Sequence, residues 1–170
     1  APLAHRHPKR SLGWLLFLVN LGIFIYFIQL IPAISSQKPY AESFSWIPSL
    51  GFQLSFYLDG LSLVFSLLIS GIGALIFLYA SGYLKGDPLL GRFYTYLSLF
   101  TAAMLGVVLA DNIFTLFVFW ELTSISSYLL IGFKNEKPQA RKAALQALLI
   151  TGGGGMALLG GLILLSHITG

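Results

Sequence analysis

There is no cysteine in this sequence. That single absence excludes disulfides, thiolate-held metals, iron–sulfur clusters and cysteine nucleophiles. Histidine is nearly as scarce: His5 and His7 stand in a basic tail, and His167 lies close to the last residue. So few imidazoles leave no basis for a haem held between helices or a conventional zinc centre. Charge is the third shortage. Only 9% of the 170 residues are Asp, Glu, Lys or Arg, against about 25% in soluble domains. A surface that meets water on every side cannot be built from so few charges, so most of this chain's surface must face lipid. Hydrophobic residues, at 56%, fill the space instead. Glycine-rich phosphate loops, catalytic triads and paired carboxylates are also missing, and no folded basic face points to nucleic acid.

What is present is a series of long apolar runs. Spanning a bilayer as a helix takes about 20 residues, and five runs of that order occur, at 12–31, 59–83, 93–110, 113–132 and 141–168. Helix is the only reading, because an open strand would leave its backbone unpaired in lipid. Between them lie a basic tail over 1–11, a loop over 32–58, a turn over 84–92, the tight junction Asp111-Asn112 and a loop over 133–140. The expected fold is an all-α membrane protein, a bundle of about five transmembrane helices in one membrane domain. The basic start is not a signal peptide, since the run 12–31 is too long and lacks a cleavage site. Opening on Ala1 and closing on Ser166-His167-Ile168-Thr169-Gly170 after an apolar run, the sequence reads as a piece of a larger protein.

Lysine and arginine set the expected orientation. With five spans, Arg6, Lys9, Arg10, Lys85, Arg92, Lys134, Lys137, Arg141 and Lys142 fall on one side and Lys38 alone on the other. The basic side is expected to be cytoplasmic, which places the first residue inside and the last outside. Anionic lipid headgroups are a natural partner for those loops.

The outer loop carries a pattern of its own. Phe52, Leu54, Phe56 and Leu58 alternate with Gln53, Ser55 and Tyr57, the period of a half-buried strand. Pro48-Ser49-Leu50-Gly51 supplies turn chemistry and Phe44-Ser45-Trp46-Ile47 a partner. A short extracellular β-hairpin, lying over the helix ends, is predicted. Asp59, opening Asp59-Gly60-Leu61-Ser62, has the position of a helix N-cap. Asp111-Asn112 is read as a turn, with Asp111 a candidate point of cation entry. Gly152-Gly153-Gly154-Gly155 lets helices approach closely; the sharper alternative is a broken helix beside an ion path.

One residue stands apart. Glu121 lies near the centre of the fourth run, in Phe119-Trp120-Glu121-Leu122-Thr123-Ser124. Placing a charged side chain at mid-bilayer costs at least about 2.5–3.5 kcal/mol on insertion scales. Desolvation disfavours the ionised form and a neighbouring cation favours it, so a carboxyl between the two influences can take up and release a proton. Ser124 and Tyr128 follow at three and seven residues, on the same helix face. Thr123, Ser126 and Ser127 add hydroxyls nearby, and together they are candidates to support a proton path from Glu121. The blander reading is a protonated packing residue bonded to serine.

These residues carry a family resemblance. The run Met104-Leu105-Gly106-Val107-Val108-Leu109-Ala110-Asp111-Asn112, continued by Phe119-Trp120-Glu121-Leu122-Thr123-Ser124-Ile125-Ser126-Ser127-Tyr128-Leu129-Leu130-Ile131, resembles the antiporter-like subunits of respiratory complex I and its relatives. Trp120-Glu121-Leu122-Thr123-Ser124, with Tyr57-Leu58-Asp59-Gly60-Leu61 and Trp46-Ile47-Pro48, looks most like the A-type component of the Mrp multisubunit Na+/H+ antiporters. The complex I homologue usually has glycines after its Trp-Glu pair, which are absent here. The resemblance implies that Glu121 belongs to a proton-conducting site and pairs with a lysine on a later helix, beyond Gly170. It implies that the five spans are the second to sixth helices of a longer protein, here an N-terminal fragment. It implies other subunits of a hetero-oligomeric complex as partners, H+ and Na+ as cargo, no cofactor, and the cell (inner) membrane as the location. The expected function is proton translocation coupled to Na+ export by a secondary transporter. The alternatives are the membrane arm of a redox-driven pump, such as an NADH dehydrogenase or membrane-bound hydrogenase, and a non-transporting scaffold.

Overall fold

A computed structural model describes residues 8–36, 40–47, 49 and 52–169. His5, His7 and Arg6 of the tail, Lys38, and the turn expected over 48–51 (Ser49 aside) lie outside the described residues. The elements are α1 (Pro8–Ser35), β1 (Tyr40–Ile47), β2 (Phe52–Leu58), α2 (Gly60–Tyr83), α3 (Leu90–Leu109), α4 (Ile113–Ile131) and α5 (Pro138–Thr169). Each helix contains a segment long and apolar enough to cross a membrane, so the expected all-α membrane architecture with a small hairpin is what the chain forms. Three helices begin ahead of their apolar runs: α1 at Pro8, α3 at Leu90 and α5 at Pro138. For α1 and α5 the first residue is proline, which suits that position because its missing N–H is unneeded there, and hydropathy does not register that. α5 also runs unbroken through its four glycines, which removes the broken-helix alternative.

α2 shows how the bundle is put together. Its N-cap is Asp59, whose Oδ1 accepts from the Ser62 backbone N–H at 2.8 Å while the Asp59 N–H donates to Ser62 Oγ at 2.8 Å. These bonds, the Ser62 backbone N–H first and its hydroxyl second, hold the Asp59 carboxyl below its ordinary value of 3.8. Beyond the cap, Ser62, Ser66, Ser70, Gly73, Ala74, Phe77, Ala80 and Ser81 are buried, while Leu61, Val64, Phe65, Leu68, Ile72, Leu75 and Tyr79 are exposed. Small and hydroxyl-bearing residues make up most of the inward face, joined by Leu63 and Phe77, and most of the other bulky apolar residues turn out. An apolar outer face suits apolar surroundings, and small residues on the inner face let neighbouring backbones come close. The Ser70 hydroxyl is satisfied within its own helix, donating to the Ser66 carbonyl at 2.6 Å.

α1 packs chiefly on α2, α3 on α4 and α4 on α5, with α2 against α3 joining the two groups. Two apolar clusters bind the first three helices. Phe27, Leu58 and Leu63, with Ile23, Leu67, Leu105 and Leu109 around them, lie at the end that carries the hairpin. Phe77, Ala80, Leu90, Tyr94 and Leu97 lie at the other end. There the connection before α3 meets the one after α4, Lys134 Nζ standing 3.7 Å from Asp87 Oδ2 and Phe93 meeting Phe133 edge to face at 5.4 Å. Lys85, Arg92, Lys134, Lys137, Arg141 and Lys142 therefore gather at the end opposite the hairpin.

The hairpin is longer than its hydrophobic alternation suggests, because β1 pairs from Tyr40 against Leu58 through to Ile47 against Phe52, with a bulge between Ser45 and Ile47. β2 is docked onto the α3–α4 junction. The Asp111 N–H donates to the Ser55 carbonyl at 2.9 Å, and the Ser55 N–H donates to Thr115 Oγ1 at 2.9 Å. Asn112 Nδ2 reaches the Gln53 carbonyl at 3.0 Å. Backbone groups that would otherwise stand open along this strand are thereby paired.

Candidate functional site

The site is built on α4. Asn112 starts this helix, its Oδ1 accepting from the Thr115 N–H at 2.7 Å. Its Nδ2 is the same group that holds the hairpin, so one side chain sets both the start of α4 and the seat of β2. Phe114 in the first turn stacks on Phe52, centroids 4.4 Å apart and planes 6° from parallel, with Trp46 at 5.8 Å. From this anchored end, Glu121 lies eight residues beyond Ile113, about 12 Å along the axis. That is the middle of the helix.

Glu121 is only partly exposed as a residue, and its Oε1 is fully covered without a hydrogen-bond partner among the described residues. The cover comes from α5. A Cβ built on Gly155 would collide with Glu121 Oε1 and would stand 3.7 Å from Trp120 Cδ1. Gly152, Gly153 and Gly154 meet nothing within 4 Å among the described residues. Of the four glycines, one alone makes the close approach read from the sequence. A second close approach holds the other flank of α4, where the Phe119 ring lies where a Cβ on Gly106 of α3 would be. Phe119 also meets Phe56 of the hairpin edge to face at 5.7 Å.

The hydroxyls expected to serve Glu121 bond elsewhere. Thr123 Oγ1 donates to the Trp120 carbonyl at 2.7 Å, and Ser124 Oγ to the same carbonyl at 3.3 Å. Ser126 Oγ donates to the Leu122 carbonyl at 2.7 Å. Ser124 and Ser126 are buried, Ser127 and Tyr128 half-buried. Each hydroxyl that donates backward keeps lone pairs with which to accept a proton or a hydrogen bond, but none is joined to Glu121. Asp111 sits outside this group. It is exposed, its Oδ2 accepts from Ser55 Oγ at 3.3 Å, and its main chain fixes the hairpin. Among the described residues no three His, Cys, Asp or Glu side chains are grouped to hold a metal.

Sequence reasoning did not single out Asn112, Gly155 or Gly106 as members of this arrangement. Asn112 carried a usable signal, an Asn just ahead of an apolar run. Which of four consecutive glycines faces a carboxylate depends on how α5 is rotated against α4, and nothing local encodes that.

Comparison with known proteins gives consistent results. Residues 45–94 match the family described as NADH-ubiquinone oxidoreductase (complex I), chain 5 N-terminus. Residues 110–170 match the family described as NADH:quinone oxidoreductase/Mrp antiporter, transmembrane. The chain is 49% identical over 166 residues to the A1 subunit of the Na+/H+ antiporter of Staphylococcus haemolyticus, and 50% identical over 166 residues to that of Staphylococcus aureus. Each alignment takes in 97% of this chain and 21% of the relative, so the chain spans about a fifth of the length of these curated relatives. Among solved structures, the Mrp complex from Dietzia sp. DQ12-45-1b superposes with a TM-score of 0.78 at 38% identity, covering 89% of this chain and 16% of that one. The membrane-bound sulfane sulfur reductase, an archaeal respiratory membrane complex, shares the fold at a TM-score of 0.69 and 22% identity, over 89% of this chain and 24% of that one. Five apolar helices, a docked hairpin, a mid-helix glutamate and these matches lead to one conclusion: the chain belongs to the antiporter-like membrane protein family shared by complex I and the Mrp antiporters.

Proposed function

We propose that this chain supplies the glutamate limb of a proton path in a multisubunit Na+/H+ antiporter, with Glu121 as the group that takes up and releases the proton. The observation that carries the reading is the carboxylate itself, midway along an apolar helix with one oxygen buried and unbonded among the described residues. An ionisable side chain at that depth is costly, and no hydrogen bond to that oxygen offsets it. The relatives named for a Na+/H+ antiporter support Na+ as the exchanged cation. The Mrp complex neighbour supports other subunits of a hetero-oligomer as partners.

In the mechanism, Glu121 alternates between a neutral and an ionised form. A cationic side chain drawn close favours the ionised form and expels the proton; its withdrawal lets the carboxyl bind another. The family resemblance assigns that cation to a lysine on a later helix. Ser124, Ser127, Thr123 and Tyr128 line the route from Glu121 towards the basic end of the bundle, passing protons through ordered water where their own bonds are turned to the helix. The basic end faces the cytoplasm, following the lysine and arginine asymmetry, and the hairpin with Asp111 faces outward in the cell membrane. The protein moves ions and makes or breaks no covalent bond in its cargo.

The test is cation-driven proton movement in inverted vesicles containing the full assembled complex, wild type against Glu121→Gln at matched subunit levels. Glutamine keeps size and hydrogen bonding but cannot carry the exchanged proton. Loss of exchange by about a hundredfold or more is the expected result, the scale of removing a proton-transfer group. Exchange that persists in Glu121→Gln makes the residue a packing group and returns the chain to a scaffold. A second reading, the membrane arm of a redox-driven pump, has the support of the complex I family matched by residues 45–94. It uses Glu121 in the same way and differs in its partners; purification of the assembled complex with or without redox subunits separates the two.

A further inference from the structure

From the contact between Glu121 and α5 we infer that Gly155 is a positioning residue, the seat that holds the Glu121 carboxyl between α4 and α5. The inference rests on the reading of Glu121 as the proton carrier and adds what places it. Three facts combine. The carboxyl oxygen Oε1 is covered and lies where a side chain on Gly155 would have to be. The neighbouring Gly152, Gly153 and Gly154 face open space among the described residues. α5 continues as regular helix through all four, so the glycine at 155 serves no break in the helix.

A mid-helix glycine weakens a helix relative to alanine, so helix formation gives no reason for glycine at this position. Space does. With only hydrogen on its Cα, Gly155 lets a carboxyl oxygen rest on the surface of α5, where the weak acidity of Cα–H groups suits an oxygen acceptor. Any larger residue would push the carboxyl out of the interface. Among the described residues, no charged group from the elements packed around Glu121 competes for it at this level. α5 carries Arg141 and Lys142 in its opening turns and His167 near its far end, α3 carries Arg92 in its first turn, and α4 itself offers only Tyr128. Arg141 precedes Gly155 by fourteen residues, about 21 Å of helix. The carboxyl in this seat is thus held by shape, and the geometry of the seat sets where a proton is presented.

The experiment uses the full-length protein in its assembled complex. Infrared spectra recorded as a difference between two pH values contain bands from Glu121, identified as those lost in Glu121→Gln. Gly155→Ala is expected to move these bands and to slow exchange by about tenfold to a hundredfold, the scale of misplacing a reacting group by an ångström. Gly153→Ala, which gains the same helix propensity, leaves both unchanged. Glu121 bands that stay in place in Gly155→Ala overturn the seat, whatever the transport rate does. If Gly155→Ala prevents assembly, Glu121→Asp is added, since the shorter side chain withdraws the oxygen from the methyl. Recovered assembly supports the seat and continued failure overturns it. Because the bands are read without transport, exchange that survives in Glu121→Gln defeats the proton-carrier reading while the seat is still decided.

Discussion

The two halves of α4 are held in opposite ways. Its first turns are fastened by directional bonds: Asn112 caps the helix and grips Gln53, Thr115 accepts from Ser55, and Phe114 is stacked under Phe52 with Trp46 beside it. Its middle carries no such bonds among the described residues and rests on close approach, Phe119 over Gly106 with the Phe56 ring at its edge on one side and Glu121 over Gly155 on the other. Hydrogen bonds and stacked rings fix an element firmly because their geometry is narrow. Contacts against bare glycine restrict position but leave a side chain free to change its partner. On the proposed reading of Glu121 as proton carrier, a helix that keeps its depth in the membrane while its carboxyl changes charge state benefits from that division. The anchored end then sets depth and rotation, and the sparse middle leaves Glu121 Oε1 without a hydrogen bond among the described residues.

Removing the ring at the anchored end should break this contrast most visibly. Phe114 is half-buried, and Phe114→Ala forfeits its stack and its apolar cover, at a cost of about 2 kcal/mol. Amide exchange of the β2 residues, read by mass spectrometry on the assembled protein, should accelerate by about thirtyfold. The Glu121 infrared bands should stay where they are if the two halves are independent. Bands that shift would mean that loosening the hairpin is felt at mid-helix through Phe56 and Phe119, and the division drawn above would fail.

Asn112→Ala sharpens the same contrast with a smaller effect. It removes the cap bond to Thr115 and the bond to the Gln53 carbonyl, at about 1 kcal/mol for a lost N-cap. Exchange at the Thr115 amide should rise by about fivefold, with the stack of Phe114 on Phe52 retained. An unchanged rate at Thr115 would show that the aromatic stack alone anchors α4, and that the polar bonds only follow its geometry.

Much of this arrangement was readable in the residues, and the boundary is physical. The five spans, the hairpin and the cap at Asp59 follow from hydropathy, alternation and local chemistry, all of which act within a few residues. Glu121 stood out because an apolar run is a harsh background for a carboxylate. What could not be read is rotational. Ser124 shares a face with Glu121 by helical spacing, yet its hydroxyl turns back to the Trp120 carbonyl, a choice made by side-chain torsion. Gly155 faces Glu121 and Gly154 does not, which depends on the pairing of two helices across many residues. Asp111 reads locally as an acid in a tight turn. Its exposed carboxylate and its main chain also meet Ser55, a contact across 56 positions that no local pattern announces.

The smallest expected effect lies at Asp59, where a directional anchor of the same kind as Asn112 also carries a charge. Its carboxyl is held below 3.8 by the Ser62 N–H and hydroxyl, so the folded chain favours the ionised form. The stabilisation is full above that ordinary value and is lost as pH falls through the lower value of the folded chain. Asp59→Asn retains a capping oxygen of nearly equal quality, so at neutral pH the start of α2 should change by only about 0.5 kcal/mol. Exchange at the Ser62 amide should quicken below about pH 4 in the native chain and stay level in Asp59→Asn, after correction for intrinsic rates. Equal acid sensitivity in both would place the loss outside the Asp59 carboxyl. A level response in Asp59→Asn would establish that the start of α2 responds to pH through the Asp59 carboxyl while the asparagine keeps the cap, which separates the charge of an anchor from its geometry.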